Sequence, residues 1–192
     1  MKNSQTKSKE RVRDHGEVFT AEREVKAMCD LVKDETDRID SRFLEPACGD
    51  GNFLAEIITR KMQVVKRKYK QSPIDYEKNA VLAISSIYGV DILQDNVDAC
   101  RERIFSLWDK EYTSVCKKDA NDQTREAVKF ILSKNIVCGN ALTLKQVDEN
   151  GNETDEPIVF SEWAFITGSQ IQRQDYTFAH LLAMNDEENK AE

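Results

Sequence analysis

The stretch "LEPACGDGNFL", residues 44 to 54, places an acid, a proline and two glycines between apolar residues. The overlapping residues "RFLEP" (42 to 46) are typical of a short buried strand that a proline ends. After the glycines, apolar residues recur with the spacing of an amphipathic helix, at Leu54, Ile57, Ile58, Met62 and Val65. The stretch therefore predicts a strand, a tight turn and a helix whose first amide groups and positive dipole point towards a ligand.

Composition limits the class of protein. The chain has 192 residues, of which 40% are hydrophobic, and this suits one well-buried domain. Its net charge of −7 argues against a general DNA coat, since any nucleic-acid binding would need a local basic patch. Five scattered cysteines and two distant histidines predict neither a disulfide framework nor a metal site. Because no apolar run is long enough to span a membrane and the first residues lack a signal-peptide core, we expect a cytoplasmic protein.

Two further short apolar segments, "SIYGVDI" (86 to 92) and "NIVCGNAL" (135 to 142), are separated from the first by helical patterns. Short strands alternating with helices predict an α/β fold with a parallel sheet flanked by helices. We expect a flexible basic arm over residues 1 to 15 and the main domain over residues 16 to 147. Residues 148 to 192 are expected to form a polar loop (148 to 157), a strand-like appendage and an acidic tail.

Three predicted strands end in residues suited to a ligand site. These are Glu45 to Gly51, Asp91, and Gly139 with Asn140. Because ligands of parallel sheets bind beyond the carboxyl ends of the strands, these positions predict a site for a nucleotide-like ligand. The dinucleotide fingerprint fails, since Leu54 stands where Gly or Ala is required, and the P-loop fails because no Gly-Lys-Ser/Thr follows. Each residue alone also fits an ordinary turn or surface position, but their joint placement favours a site.

Four segments resemble the motifs of adenine-specific (N6) DNA methyltransferases of restriction-modification systems. "LEPACGDGNFL" resembles the first motif of that family, and "GEVFT" (16 to 20) is similar to the segment before it. "YGVDI" (88 to 92) resembles the second motif and "CGNAL" (138 to 142) the third. The four occur in the expected order over roughly residues 16 to 142.

The resemblance implies a Rossmann-like fold that binds S-adenosylmethionine. It assigns the cofactor's ammonium to Glu45, room for the methionine portion to Gly49 and Gly51, the ribose hydroxyls to Asp91 and the adenine amine to Asn140. It also implies cofactor contacts at Phe19, Thr20, Pro46, Ala47, Cys48, Phe53, Ile92, Ala141 and Leu142. The sequence departs from the family pattern at three positions, with Ala21 for Pro, Asp50 for Ser or Thr, and Asn140 for Asp.

The family's catalytic motif, Asn or Asp, Pro, Pro, then Tyr or Phe, is missing. The chain has three prolines, Pro46, Pro73 and Pro157, so no Pro-Pro pair exists. "EPIVFSEWAFI" occupies the expected position, and Trp163 is better suited to the core than to base stacking. We therefore assign no catalytic residue and expect a fold that is incomplete on its C-terminal side. The basic residues between Arg60 and Lys70 predict the solvated face of a helix.

The sequence favours the S-adenosylmethionine-binding domain of an adenine-specific DNA methyltransferase. It does not decide whether the chain is active without a partner. A protein partner would supply the catalytic loop and target recognition, and DNA would be bound through that partner. No metal and no membrane are expected to be involved. Two alternatives stay open, namely a non-catalytic S-adenosylmethionine-binding regulatory or structural module and a small-molecule methyltransferase.

Overall fold

A computed structural model describes residues 20 to 166 and 170 to 188 of the chain. The predicted arm (1 to 15), most of "GEVFT" including Phe19, and the end of the acidic tail lie outside the described residues. Within the described residues, no helix is both long enough and apolar enough to cross a membrane.

The described helices, in chain order, are α1 (Glu22–Leu31), α2 (Lys33–Thr36), α3 (Asn52–Tyr69), α4 (Pro73–Ser85), α5 (Gln94–Cys116), α6 (Asp122–Asn135) and α7 (Phe178–Glu188). The strands are β1 (Phe43–Glu45), β2 (Ile87–Asp91), β3 (Ile136–Asn140), β4 (Lys145–Val147), β5 (Glu153–Pro157), β6 (Val159–Phe165) and β7 (Ile171–Thr177). A short 3-10 helix spans Lys117–Asp119.

The main sheet has five strands in the order β1-β2-β3-β4-β5. Strands β1, β2 and β3 are parallel neighbours, with Glu45 beside Gly89 and Asp91 beside Cys138. Strands β4 and β5 extend the sheet in antiparallel fashion, and β6 and β7 form a separate antiparallel pair. The predicted parallel sheet flanked by helices is confirmed.

Local chemistry explains where the helices begin. Gly51 precedes α3 in a left-handed conformation, and the Ser72 hydroxyl accepts the Asp75 amide at the start of α4. Pro73 holds the first position of α4, where a missing N–H costs nothing. Asn121 caps α6 by accepting the Thr124 amide at 2.8 Å. These caps determine the helix starts, which apolar spacing alone places only to within a few residues.

The two faces of the sheet are covered differently. Helices α3 to α6 bury the larger core on one face. On the other face a smaller cluster joins Tyr88 and Val90 of β2 to Ile158, Phe160 and Phe178. The Tyr88 hydroxyl also donates to the Ser161 carbonyl at 3.3 Å, so β6 is attached to the sheet by polar and apolar contacts together. The segment after residue 157 thus provides the cover for this second face.

Two sequence expectations were wrong. Residues 153 to 157, part of the predicted polar loop, form β5, because backbone pairing with β4 holds a strand that has no apolar alternation. Lys61, assigned to the solvated face of α3, is completely buried. Its ammonium donates to the Ile39 carbonyl at 2.9 Å, to the Ser86 hydroxyl at 2.7 Å and to the Ser41 carbonyl.

Burial lowers the pKa of Lys61 to about 7, well below its ordinary value of 10.5. Other members of the predicted basic face are paired instead of free. Arg60 contacts Glu56 and Asp30, and Lys66 contacts Glu111. Three of these basic residues, Arg60, Lys61 and Lys66, therefore contact neighbouring elements, whereas Arg67 and Lys68 are exposed.

Candidate functional site

The carboxyl ends of β1 and β2 are joined by the side chain of Asp91. Its Oδ2 accepts a hydrogen bond from the Gly49 backbone amide at 2.9 Å. Asp91 ends β2, and Gly49 lies in the turn that follows β1. Two sequence-predicted site residues, 42 positions apart, are thus in direct contact.

The second oxygen of Asp91 is used within its own loop. Oδ1 accepts from the Leu93 amide at 2.9 Å and from the Asn96 side-chain amide at 3.1 Å. A carboxylate offers about four acceptor positions, so three are taken and one on Oδ2 is left. A half-exposed carboxylate held in this way is positioned before any ligand arrives.

The turn between β1 and α3 depends on its glycines. Gly49 and Gly51 have φ angles of 51° and 86°, in the left-handed region that other residues rarely adopt. A Cβ on Gly51 would lie 2.6 Å from the Cys100 sulfur, so any side chain there would strain the turn. The Cys48 amide donates to the Val90 carbonyl at 2.8 Å and fixes the turn to β2.

Cys48 is buried in the turn and contacts Cys100 of α5. The hydrogen bond with Cys100, together with burial, raises the pKa of the Cys48 thiol. A thiol that resists deprotonation is a poor nucleophile. Cys48 therefore packs the turn against α5, and the cofactor contact expected of it stays a prediction.

Glu45 ends β1 with a half-buried carboxylate. Burial raises the pKa of Glu45, and a hydrogen bond from the Ala47 amide opposes this rise. A carboxylate desolvated in this way gains stability from a nearby cation. Pro46 and Ala47 are exposed beside it, so a ligand can approach from solvent.

Asp50, which departs from the family pattern, is bound to a neighbouring helix. Its carboxylate pairs with Arg103 of α5 at 3.0 Å. Arg103 also donates to the side-chain oxygen of Asn52, the first residue of α3. Asp50 therefore fastens the turn to α5, a role that sequence reasoning missed because Arg103 lies on a distant helix.

The end of β3 is less enclosed than the end of β2. The side-chain oxygen of Asn140 accepts the Leu142 amide at 3.0 Å, and its amide donates to Glu153 at 3.0 Å. The oxygen expected to meet an adenine amine thus has a local partner. Leu142 is 95% exposed, whereas Ala141 is half-buried.

The other residues predicted to contact the cofactor differ in their exposure to solvent. Ile92 is 42% exposed beside Asp91, a large apolar surface suited to the flat face of a base. Phe53 is half-buried and packs against the larger core. Thr20 is exposed just before α1. Among the described residues, no cluster of three or more His, Cys, Asp or Glu side chains could hold a metal ion.

Asn96 also belongs to the site, and sequence reasoning missed it. Its side chain is buried and bonded to Asp91, five positions earlier in the chain. An asparagine in the first turn of a helix carries no sequence signal for this contact, because the same residue is common at ordinary helix starts.

A parallel sheet flanked by helices, with a glycine turn after its first strand and an acid at the end of its second, defines a Rossmann-like methyltransferase fold. The family model described as "MmeI, DNA-methyltransferase domain" matches residues 7–185. The chain belongs to this family.

Two curated relatives are similar to this chain. A predicted type II restriction enzyme and methyltransferase of Methanocaldococcus jannaschii is 29% identical over 121 residues, which cover 61% of this chain and 10% of the relative. DNA methyltransferase A of Bacillus subtilis is 25% identical over 143 residues, which cover 70% of this chain and 16% of the relative. The chain thus matches only a small part of each. No solved structure matches it at comparable significance.

Proposed function

We propose that the chain binds S-adenosylmethionine at the carboxyl ends of β1, β2 and β3. We also propose that it serves as the cofactor-binding part of an adenine-specific DNA methyltransferase of a restriction-modification system. The contact between the Asp91 carboxylate and the Gly49 amide is the observation that carries the proposal. It joins the carboxyl ends of β1 and β2, which supports a shared ligand site.

The donor and acceptor set suits the cofactor's chemistry. Glu45 supplies a carboxylate for an ammonium group, and Asp91 keeps an acceptor position for a ribose hydroxyl. Ile92 offers an exposed apolar side chain for an adenine ring. Asp91 has one free acceptor position, so a diol that uses both oxygens would displace a donor such as Asn96. When bound, the cofactor would supply the methyl group to be transferred.

Methyl transfer to adenine is carried out in this family by a Pro-Pro motif that the sequence does not contain. The exocyclic nitrogen of a flipped base must be held by acceptors, with an aromatic ring stacked on the base. Trp163 is half-buried, packs against the larger core and donates to the Asn135 side chain at 3.2 Å, so it is no base platform. We therefore propose that a partner polypeptide supplies the catalytic motif and target recognition. The missing Pro-Pro pair also supports the alternative of a non-catalytic cofactor-binding module.

Titration calorimetry with S-adenosylmethionine tests the site. We expect dissociation constants of about micromolar order for the wild type and no measurable heat for Asp91→Ala. Glu126→Ala, which removes an exposed carboxylate on α6, should bind like the wild type. Circular dichroism and thermal unfolding establish that each variant is folded. Absence of heat from the folded wild type would overturn the proposal.

A methyl-transfer assay on DNA distinguishes a split enzyme from a non-catalytic cofactor-binding module. We expect no incorporation into DNA from the chain alone, because its sequence has no Pro-Pro pair and therefore no catalytic motif of the family. Clear incorporation would show that this chain carries its own catalytic group. Incorporation that appears only when a second polypeptide is added would favour the split enzyme over the cofactor-binding module.

A further inference from the structure

Three cations from three different elements surround one polar cavity. Arg101 of α5, Lys134 of α6 and Arg173 of β7 line a cavity of about 340 Å³. None of the described residues predicted to contact S-adenosylmethionine lines this cavity. Cys138, which does line it, donates to the Ile92 carbonyl at 3.5 Å. The cavity therefore borders the candidate site without belonging to it.

The guanidinium of Arg101 is held in place by main-chain carbonyls. Its Nε donates to the Ile136 carbonyl at 2.9 Å, and its Nη2 donates to the carbonyls of Ile136 and Ser133 at 2.6 and 3.2 Å. Its Nη1 lies 3.5 Å from the exposed Asp98 and makes no hydrogen bond to a described residue. Burial lowers the pKa of Arg101, although Asp98 opposes this. The positive charge is thus only partly compensated, and a further anion would stabilise it.

Lys134 supplies a second cation, which is positioned by an aromatic ring. Its Nζ lies 5.5 Å from the centre of the Phe130 ring. Within residues 20 to 166 and 170 to 188, Lys134 forms neither an ion pair nor a hydrogen bond through its ammonium. Contact with an aromatic ring orients an ammonium without neutralising its charge, so all three donors of Lys134 remain for a ligand.

Among the described residues that line the cavity, Asp175 is the single acid, and it already has partners. Arg173 donates to it through Nε at 2.8 Å and through Nη2 at 2.5 Å, and the Ser161 hydroxyl donates to it at 2.7 Å. These hydrogen bonds lower the pKa of Asp175 to about 2. The cavity thus gathers three cations around one neutralised carboxylate, although the chain as a whole has a net charge of −7.

The larger cavity beside β1, of about 600 Å³, has no such excess of positive charge. There Arg38 lies 3.7 Å from Glu35, and Arg42 pairs with Glu162. Its cations are balanced by acids, whereas the smaller cavity keeps cations that no acid neutralises. Arginine and lysine donors gathered at a concave site are the usual means by which proteins bind phosphate oxygens.

We propose that the cavity between α5, α6 and β7 binds a phosphate group. Arg101 donates to the carbonyl of Ser133, the residue before Lys134, so Nη1 of Arg101 and Nζ of Lys134 can serve the same ligand. Arg173 adds a third positive charge. The phosphate belongs either to the backbone of DNA or to a free phosphorylated molecule, since both present the same charged oxygens. The proposal goes beyond the proposed function, because it places a second ligand outside the S-adenosylmethionine site.

Titration of the full chain with inorganic phosphate, followed by NMR, tests the proposal. S-adenosylmethionine is left out, so the result does not depend on the proposed function. We expect saturable shifts of the Arg101 Nε–H and the Lys134 amide, with a dissociation constant of about millimolar order. The Gly49 amide, in the candidate site, should change little. Sodium chloride at equal ionic strength is the control and should cause no saturable shift, because it only screens charges.

Substitution of the cavity's charged residues provides a second measurement. Lys134→Gln removes one cation and should weaken phosphate binding by about fivefold or more. Lys68→Gln is the matched control, since it removes the same charge from an exposed position on α3, and it should bind phosphate like the wild type. Asp175→Asn acts in the opposite direction, because it leaves Arg173 without its carboxylate, and should tighten phosphate binding by about threefold. Circular dichroism establishes that each variant is folded.

A short DNA duplex of mixed sequence identifies the source of the phosphate. Displacement of inorganic phosphate by the duplex would assign the site to the DNA backbone, whereas phosphate binding that the duplex leaves unchanged would assign it to a free phosphorylated molecule. Absence of saturable shifts in the folded chain would overturn the proposal, and so would equal phosphate affinities of wild type and Lys134→Gln. Failure of S-adenosylmethionine binding would overturn the proposed function alone, because phosphate binding is measured without that cofactor.

Discussion

The two ends of the β1–β2 pair are each held by one charged side chain. At the amino ends, Lys61 donates to the carbonyls of Ile39 and Ser41 and to the Ser86 hydroxyl. At the carboxyl ends, Asp91 accepts from Gly49, from Leu93 and from Asn96. Each side chain joins the segment around β1 to the segment around β2.

The two side chains differ in whether a hydrogen-bonding position remains for a ligand. Lys61 is completely buried and uses all three of its donors, so nothing remains for a ligand. Asp91 is half-exposed and keeps an acceptor position on Oδ2. An internal ionisable group whose hydrogen bonds are all used is structural, whereas one with a spare, accessible acceptor position is a candidate for ligand binding.

The largest expected effect is on stability at the amino ends. Lys61→Met keeps the unbranched chain but leaves the Ile39 and Ser41 carbonyls without their donor. We expect a loss of about 3 kcal/mol in the free energy of unfolding, measured by urea denaturation. S-adenosylmethionine affinity should change by less than about twofold, because Lys61 has no free donor.

Lys68→Met on the same helix is the matched control, since Lys68 is exposed. Its denaturation midpoint should equal that of the wild type. A folded Lys61→Met protein that has lost cofactor affinity would show that the amino ends of β1 and β2 also contribute to ligand binding.

The stability of the protein should also depend on pH through Lys61. Burial lowers the pKa of Lys61 to about 7, while an unfolded lysine keeps a value near 10.5. Between these values the unfolded chain binds more protons, so the free energy of unfolding rises with pH by up to about 1.4 kcal/mol per unit from this group. Below the folded value both states are protonated and the contribution is constant.

Lys61→Met lacks this group, so the stability difference between wild type and variant should widen from pH 7 to pH 10. The comparison between two proteins cancels the other groups that titrate in the alkaline range. A difference that stays constant over this interval would show that Lys61 remains charged in the folded protein.

At the carboxyl ends the main effect should be on ligand binding. In Asp91→Asn, the remaining side-chain oxygen can still accept from Leu93 and Asn96. The new amide group then faces the Gly49 N–H, so two donors meet and that hydrogen bond is lost. We expect S-adenosylmethionine affinity to fall by about tenfold or more, with a stability loss of about 1 kcal/mol. Asp98→Asn, an exposed position on α5, should affect neither. Unchanged affinity in folded Asp91→Asn would remove the functional half of the comparison.

The three parallel strands and the position of Asp91 at the end of β2 could be predicted from the sequence. Strands β1, β2 and β3 are short apolar runs that end in distinctive residues, and parallel packing brings such ends together. The apolar spacing of α3 and α5 likewise follows from burial of one helix face. These features are carried by local patterns, so a single sequence reveals them.

Other features depend on contacts between distant parts of the chain. Lys61 reads as a solvated lysine because its acceptors are carbonyls before β1 and a hydroxyl before β2. Strand β5 has no apolar alternation, since its strand state comes from backbone pairing with β4. Asp50 looks like a departure from the motif until its pairing with Arg103 is known. No local pattern encodes these partners.

The smallest expected effect is at the end of β3, where Asn140 is shared between Leu142 and Glu153. Asn140→Asp restores the residue usual in the family but sets a carboxylate against Glu153, so on its own it should not tighten binding. Adding Glu153→Ala frees the second carboxylate oxygen of the side chain at position 140, which can then accept from an adenine amine. We expect the double variant to bind S-adenosylmethionine about threefold more tightly than wild type.

Glu153→Ala alone is the control for this pair and should bind like the wild type. Calorimetry on the four proteins gives the coupling between the two positions directly. A tenfold loss of affinity in Asn140→Asp alone would show that the end of β3 contributes as much to cofactor affinity as the end of β2, where Asp91 lies. A gain confined to the double variant would mean that Glu153 competes with the cofactor for residue 140, so the hairpin of β4 and β5 limits affinity at this end of the sheet.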